Sequence, residues 1–320
     1  DVVPIMAQAV SGDLTGAVLD ATGAAIPNAT VTAQNEATGA KTQVPANNDG
    51  VYHLTNLPIG TYTLSASATG FATATARNLK VELNNTLTQN LPLEVGNTAT
   101  TVEVTDTAAI LDTTTAQLQT TFEAGQIQNI PATGLSKVVN GAGIWNLSLL
   151  GAGVASSGGV GQGTGPSIAG QRPENNTFYI DGVSNNDHSL TGPLVYISND
   201  AVMELSLLQN QFSAEFGGAS GGVFNAIVKT GTNQVHGSVY EYFQNRNLNA
   251  VDSLSVNAGL RSNPRYDSNR LGASIGGPIV KNKLFYFGDF EYNPVGQASV
   301  PKQALFAPTA AGYSILSGMS

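Results

Sequence analysis

The sequence predicts a mainly β chain: an amino-terminal β-sandwich, a mixed α+β domain, and a few long antiparallel strands. Three observations lead there. First, only 11% of the 320 residues are charged, against 36 glycines and 14 prolines. About 25% charged is usual, so the chain is rich in turns and poor in the Glu/Lys pairs that support exposed helices. Second, residues 61–69 read TYTLSASAT, which puts Tyr62, Leu64, Ala66 and Ala68 on one face and Thr and Ser on the other. Such alternation marks a half-buried antiparallel strand. Third, three alternating segments of about ten residues lie beyond residue 233, a length that crosses a membrane as a tilted strand.

Composition shifts and turn signals place boundaries at 1–12, 13–95, 96–108, 109–232, 233–293 and 294–320. The opening DVVPIMAQAVSGD carries Ala7, Gln8 and Ala9, a small-residue pattern like a signal-peptidase site, and reads as the start of a processed, exported product. Within 13–95, Asn48-Asp49-Gly50 precedes VYHLTN, and Leu57-Pro58-Ile59-Gly60 precedes TYTL. Proline presets φ and glycine accepts positive φ, so both are turns, and a hairpin is expected over residues 51–68. GAVLDATGAAIPNATVTAQNEATG and NDGVYHLTNLPIGTYTLSASATGF together resemble the carboxypeptidase-regulatory-like domain. That resemblance implies a seven-stranded transthyretin-like, Ig-like β-sandwich with no catalytic group. Tyr52, Tyr62 and Phe71 are assigned to its core, which favours a spacer or docking role over sugar binding.

In the next module, PSIAGQRPENNTFYIDGVSNND and NQFSAEFGGASGGVFNAIVKTGTN closely resemble the plug of Oar-like TonB-dependent receptors. The resemblance implies a mixed α+β plug domain that fills an outer-membrane barrel. Between sandwich and plug, Thr101, Val102, Glu103, Val104, Thr105 and Asp106 resemble the TonB box, which an energising protein captures by adding it as a strand to its own sheet. A first strand of the plug is the competing reading. Residues 120–134, TTFEAGQIQNIPATG, suggest a strand and a short helix stopped by Pro131, since proline disfavours helical geometry in the residue before it. Leu135 stands where the family usually has Arg. In 136–150, Val138, Val139, Ile144, Leu147 and Leu150 recur at helical spacing, which predicts an amphipathic helix with Trp145 packed beside its stripe.

Chemistry-bearing motifs are few. The run SSGGVGQGTG at 156–165 lacks the leading strand and Lys-Ser/Thr of a phosphate loop, and is read as a loop. Residues 181–187, DGVSNND, offer oxygens at alternate positions without the later bidentate Glu of a calcium loop, which favours a hydrogen-bonded Asx turn. His53, His188 and His236 fall in three modules, no serine elbow or HExxH motif is present, and there are 0 cysteines. The chain is therefore expected not to be an enzyme and to need no cofactor or metal. A net charge of −9 and a pI of 4.7 argue against nucleic acid. No apolar run of 18 residues predicts a membrane helix, so any crossing is by strands.

Residues 235–244, 269–280 and 284–292 resemble the first barrel strands of the same receptors. In the last, Leu284, Phe285, Tyr286, Phe287, Phe290 and Tyr292 crowd aromatic and apolar groups onto both faces. Residues 247–267 would form a loop, and Asn282-Lys283 a tight turn. Three strands do not close a barrel, since bacterial barrels begin at about eight. The resemblance implies ligand binding and energised uptake at the outer membrane or surface of a Gram-negative-type bacterium, with a TonB-like protein as partner. The alternative is a short secreted protein of the same ancestry that polymerises with other copies by strand pairing, through edges left open.

Overall fold

A computed structural model describes residues 10–96, 101–103, 117–130, 143–155, 165–187, 192–212, 216–248, 250–251, 253–257, 259, 261–263, 265–298 and 309–318. The chain divides into two compact units, one comprising 1–237 and 274–289, the other 238–273 and 290–320. Mainly β structure is what is found.

The first strands are β1 (Ser11–Asp20), β2 (Thr30–Asn35), β3 (Lys41–Pro45), β4 (Val51–Pro58), β5 (Gly60–Ser67), β6 (Thr73–Val81), β7 (Thr86–Thr88), β8 (Leu91–Leu93) and β9 (Thr101–Glu103). They form two sheets. In one, β4 is antiparallel to β1, which pairs in parallel with β7 and then β8; the other runs β3-β2-β5-β6-β9. Alternation supplies the inner faces: Leu14, Val18, Val31, Leu54, Leu64 and Leu91 are all fully buried. Tyr52 and Tyr62 join them, and each solves the problem of its buried hydroxyl by donating to a carbonyl, that of Gln89 and that of Pro58. A Cβ on Gly16 would collide with the Gln89 carbonyl, so only glycine lets β1 and the β7–β8 segment approach.

The expected hairpin over 51–68 is not formed. β4 pairs with β1 and β5 pairs with β2 and β6, so Pro58-Ile59-Gly60 is a corner between sheets. Alternation fixes which face of each strand is buried but does not say which sheet receives it. The turn before β4 does form, with Asn47 Oδ1 accepting from the amides of Asp49 and Val51 at 2.9 and 2.8 Å.

The following module holds β10 (Leu118–Glu123), helix α1 (Ala124–Asn129), β11 (Val154–Ala155), β12 (Ser167–Ile168), β13 (Thr177–Ile180), β14 (Val183–Ser184), β15 (Val202–Asn210) and β16 (Val223–Val228). Its main sheet runs β10-β15-β16-β13-β14. Helix α1 ends at Ile130, which is extended ahead of Pro131. The expected amphipathic helix over 136–150 needs correction. Its described part, Gly143–Leu150, is a 3-10 helix, and Gly143 has φ of 58°, a left-handed conformation that a continuous α-helix does not pass through. Val138 and Val139 lie outside the described residues. Trp145 is fully buried and meets Phe178 and Phe224 edge-on at 5.3 and 5.9 Å, while those two rings stack at 4.9 Å.

The remaining elements are β17 (His236–Asn245), α2 (Ser253–Asn257), β18 (Tyr266–Val280), β19 (Leu284–Tyr292), β20 (Val295–Gln297) and α3 (Ala310–Ser317). The strand order is β17-β18-β19, with β20 also on β18. Odd-numbered Leu271, Ile275 and Ile279 of β18 are exposed, while the even positions carry Arg270, Gly272, Ser274 and Gly276. This apolar-out alternation is the barrel pattern. Asn282 makes the turn into β19 at φ of 62°. Among the described residues no helix is long and apolar enough to cross a membrane, which leaves strands untouched by that test.

Candidate functional site: the joint between sandwich and plug

The candidate site is where the sandwich meets the following module, and it begins at one leucine. Leu83 follows β6, is fully buried, and is held by both of its backbone groups. Its amide donates to Glu204 Oε1 on β15 at 2.9 Å, and its carbonyl accepts from Gln119 Nε2 on β10 at 2.7 Å. Its side chain packs with Ile59, Ile227 and Met203. Beside this clamp Lys80 of β6 bridges Glu82, at 3.2 Å, and Glu123 of β10.

Glu204 is 4% exposed. Burial raises its carboxyl to about 7; the Leu83 amide and Lys80 pull it back down, while Glu82 and Glu123 push it further up. At neutral pH it is therefore part protonated, an uncommon state for a carboxyl group. Burial lowers Lys80, but Glu123 and Glu82 outweigh that and leave it raised.

A cleft of about 640 Å³ opens alongside, lined by Glu36, Tyr62, Met203, Lys229 and His236 among others. Desolvation lowers Lys229 below the usual lysine range, against the pull of Asp200 and Asp289.

The box-like segment lies on the sandwich. Residues Thr101, Val102 and Glu103 form β9, which runs parallel to β6 in the register Thr73↔Thr101, Ala74↔Val102, Thr75↔Glu103. The chain is drawn there by the preceding residues, since the Ala72 amide donates to the Glu94 carbonyl at 2.8 Å and the Gly96 amide to that of Gly70 at 3.2 Å. Val104, Thr105 and Asp106 lie outside the described residues, as do His188 and all of the glycine-rich run except Gly165.

Asp181 and Gly182 have φ of 47° and 71° and join β13 to β14 as a two-residue hairpin turn. The Asp181 carboxylate accepts from the Val228 amide at 3.0 Å, and burial raises it despite that bond. Asn185 both donates to the Val195 carbonyl and accepts from its amide, and Asn186 accepts from the Phe178 amide at 3.0 Å. Asp181 thus reaches β16, Asn186 reaches β13 and Asn185 holds Val195, and the Asx turn expected at Asp181 is replaced by a two-residue hairpin turn.

Leu284, Tyr286, Phe290 and Tyr292 are exposed on one face of β19, with Phe290 at 70%; Phe285 and Phe287 are half-buried on the other. Sequence reasoning missed Glu204, Leu83 and Gln119. Glu204 had a signal, a lone carboxylate inside the apolar run Val202-Met203-Glu204-Leu205. The Leu83 clamp uses backbone groups, which residue identity does not reveal.

Family models match in order along the chain: the carboxypeptidase regulatory-like domain over residues 13–94, the TonB-dependent receptor plug domain over 111–223, and the outer membrane beta barrel domain over 227–314. These three matches, in this order, make the chain similar to the TonB-dependent receptors. The chain is 26% identical to the TonB-dependent transporter Oar of Myxococcus xanthus over 89% of its own length and 27% of Oar's. It is 28% identical to the probable TonB-dependent siderophore receptor PirA of Acinetobacter baumannii over 45% of this chain and 19% of that one. The chain thus spans about a quarter or less of the curated relatives it matches. The crystal structure of PirA from the same organism is 22% identical over 55% of this chain and 24% of that chain, with a TM-score of 0.39, too slight a likeness to carry an argument.

Proposed function

We propose that this chain is the sandwich, box and plug of a transporter in the outer membrane of a Gram-negative-type bacterium. The plug binds a ligand on its outer face and yields it when a TonB-like protein pulls the box. The observation that carries this reading is the order of the parts: a TVEVTD segment stands between sandwich and plug, and barrel-type strands follow the plug. Capture by strand addition needs a short extended segment with free backbone groups. Proline removes one such donor, so Val104→Pro in the full receptor is expected to abolish energised uptake and leave ligand binding intact. Unchanged uptake would reduce the segment to an edge strand of the sandwich.

A second reading rests on β19, whose apolar face is exposed and which stands at the end of the strand order. An open apolar edge of this kind pairs with strands of other copies. Phe287→Asp or Tyr286→Pro would then release soluble monomer from the assembly, as seen by native mass and electron microscopy. Assembly that survives both substitutions rejects this second reading.

A further inference from the structure

The box-like segment is already a strand of a sheet, and that sheet belongs to the sandwich. We propose that the β6 edge is a holding site for the box, so that productive capture by a TonB-like protein requires β9 to leave β6. The inference rests on reading residues 101–106 as the box.

The argument is one of force path. In chain order the box stands between the sandwich and the plug, and β10, the first described plug strand, starts at Leu118. A pull applied to the box runs along the chain that follows it into the start of β10 only if the box is free to move relative to the plug. Two fastenings prevent that. The pairing of 101–103 with 73–75 fixes the box to β6. Further along the same stretch of chain, Lys80 is paired with Glu123, and Leu83 is bonded to Glu204 and Gln119, which fixes the sandwich to the plug. With both in place, tension entering at Thr101 passes through β6 into the joint, and the 14 residues numbered 104–117 carry none of it. Unzipping β9 transfers the load to that stretch and so to β10.

β9 is short, three residues where strands usually run about five or six. A strand of that length is held firmly enough to compete with a partner and lightly enough to be displaced. The sandwich thereby acquires a task that a spacer lacks: it sets how readily the box is taken.

Register makes this testable in the full chain, which has 0 cysteines to interfere. Thr73 and Thr101 are direct partners, and neighbouring strands bring Cα atoms within the range of about 4.4–6.8 Å that a disulfide spans. Thr73→Cys with Thr101→Cys is expected to crosslink on oxidation. The oxidised chain should bind the carboxy-terminal domain of the host's TonB protein at least tenfold more weakly than wild type, and dithiothreitol should restore binding. Failure of the pair to crosslink overturns the pairing. Binding that persists in a chain shown by mass to be crosslinked also overturns the proposal, because the TonB domain would then be adding to the outer edge of β9. If neither wild type nor the reduced variant binds, the reading of 101–106 as a box has failed, whatever the crosslink shows.

Discussion

β1 and β19 have the same sequence period and opposite fates. In β1 every second residue from Gly12 to Val18 is buried, Leu14 and Val18 fully, against the second sheet of the sandwich. In β19 the corresponding face keeps Leu284 51%, Phe290 70% and Tyr292 57% exposed. Alternation thus specifies a strand and its faces. It does not specify what covers the apolar face, which in β1 is supplied within 80 residues and in β19 must come from lipid, further barrel strands or another copy.

The comparison is broken most directly by truncating one residue from each region. Leu64 is fully buried in the sandwich core, and Leu→Ala at such a site costs about 2–5 kcal/mol. Phe290→Ala removes a side chain that is 70% exposed, and is expected to shift stability by no more than about 0.5 kcal/mol. Chemical denaturation of the detergent-solubilised chain measures both. Residues 13–95 alone, whose core is self-contained, should also unfold cooperatively and show the Leu64→Ala cost in full. Equal costs at the two sites would mean that the exposed face of β19 already has a partner.

Next in size is the effect at Glu204, which tests whether sandwich and plug are as separable as their cores suggest. Its folded-state value of about 7 lies above the ordinary 4.5, so between those limits the docked state holds a proton that the open state gives up. Stability is then greatest below about 4.5, falls as pH rises towards 7, and levels off above. The total is on the order of 3 kcal/mol. Glu204→Gln stays neutral and should remove this slope; wild type minus variant, compared from pH 5 to pH 8 by denaturation, isolates it. An identical slope in both chains rules out Glu204 as its source.

Much of this division was legible in advance. The strand at Leu284–Tyr292, the stop at Pro131 and the turn at Asn47–Gly50 follow from local chemistry, and the structure carries each. What was not legible depends on pairing at a distance. The corner at Pro58-Ile59-Gly60 looked like a hairpin because turn residues are the same whether the chain returns to its own sheet or crosses to another. The run before Leu150 looked helical because apolar spacing outvoted Gly143, whose positive φ is invisible in a residue count. The sequence offers the box-like segment as a TonB box or as the first strand of the plug, and its place on β6 of the sandwich is a register that Val and Thr do not encode.

The smallest effect concerns whether the β18–β19 turn is set by its own residues or by what covers β19. Asn282 has φ of 62°, its amide donates to Asn233 Oδ1 at 2.8 Å, and its Oδ1 accepts from Asn233 Nδ2 at 2.7 Å. Asn282→Ala loses the side-chain bond and with it the local polar bonding that lets asparagine keep its β-carbon in the left-handed region, at about 1 kcal/mol. Asn282→Gly loses the bond but removes the steric cost, and should fall a few tenths short of wild type. Hydrogen exchange at the Lys283 amide, which donates to the Val280 carbonyl at 3.1 Å, reads the local opening directly. An order of wild type, Gly, then Ala in protection assigns the turn to its own chemistry. Equal protection in all three would mean that the strands hold the turn, and that β18 and β19 are tied together as firmly as the strands of the sandwich.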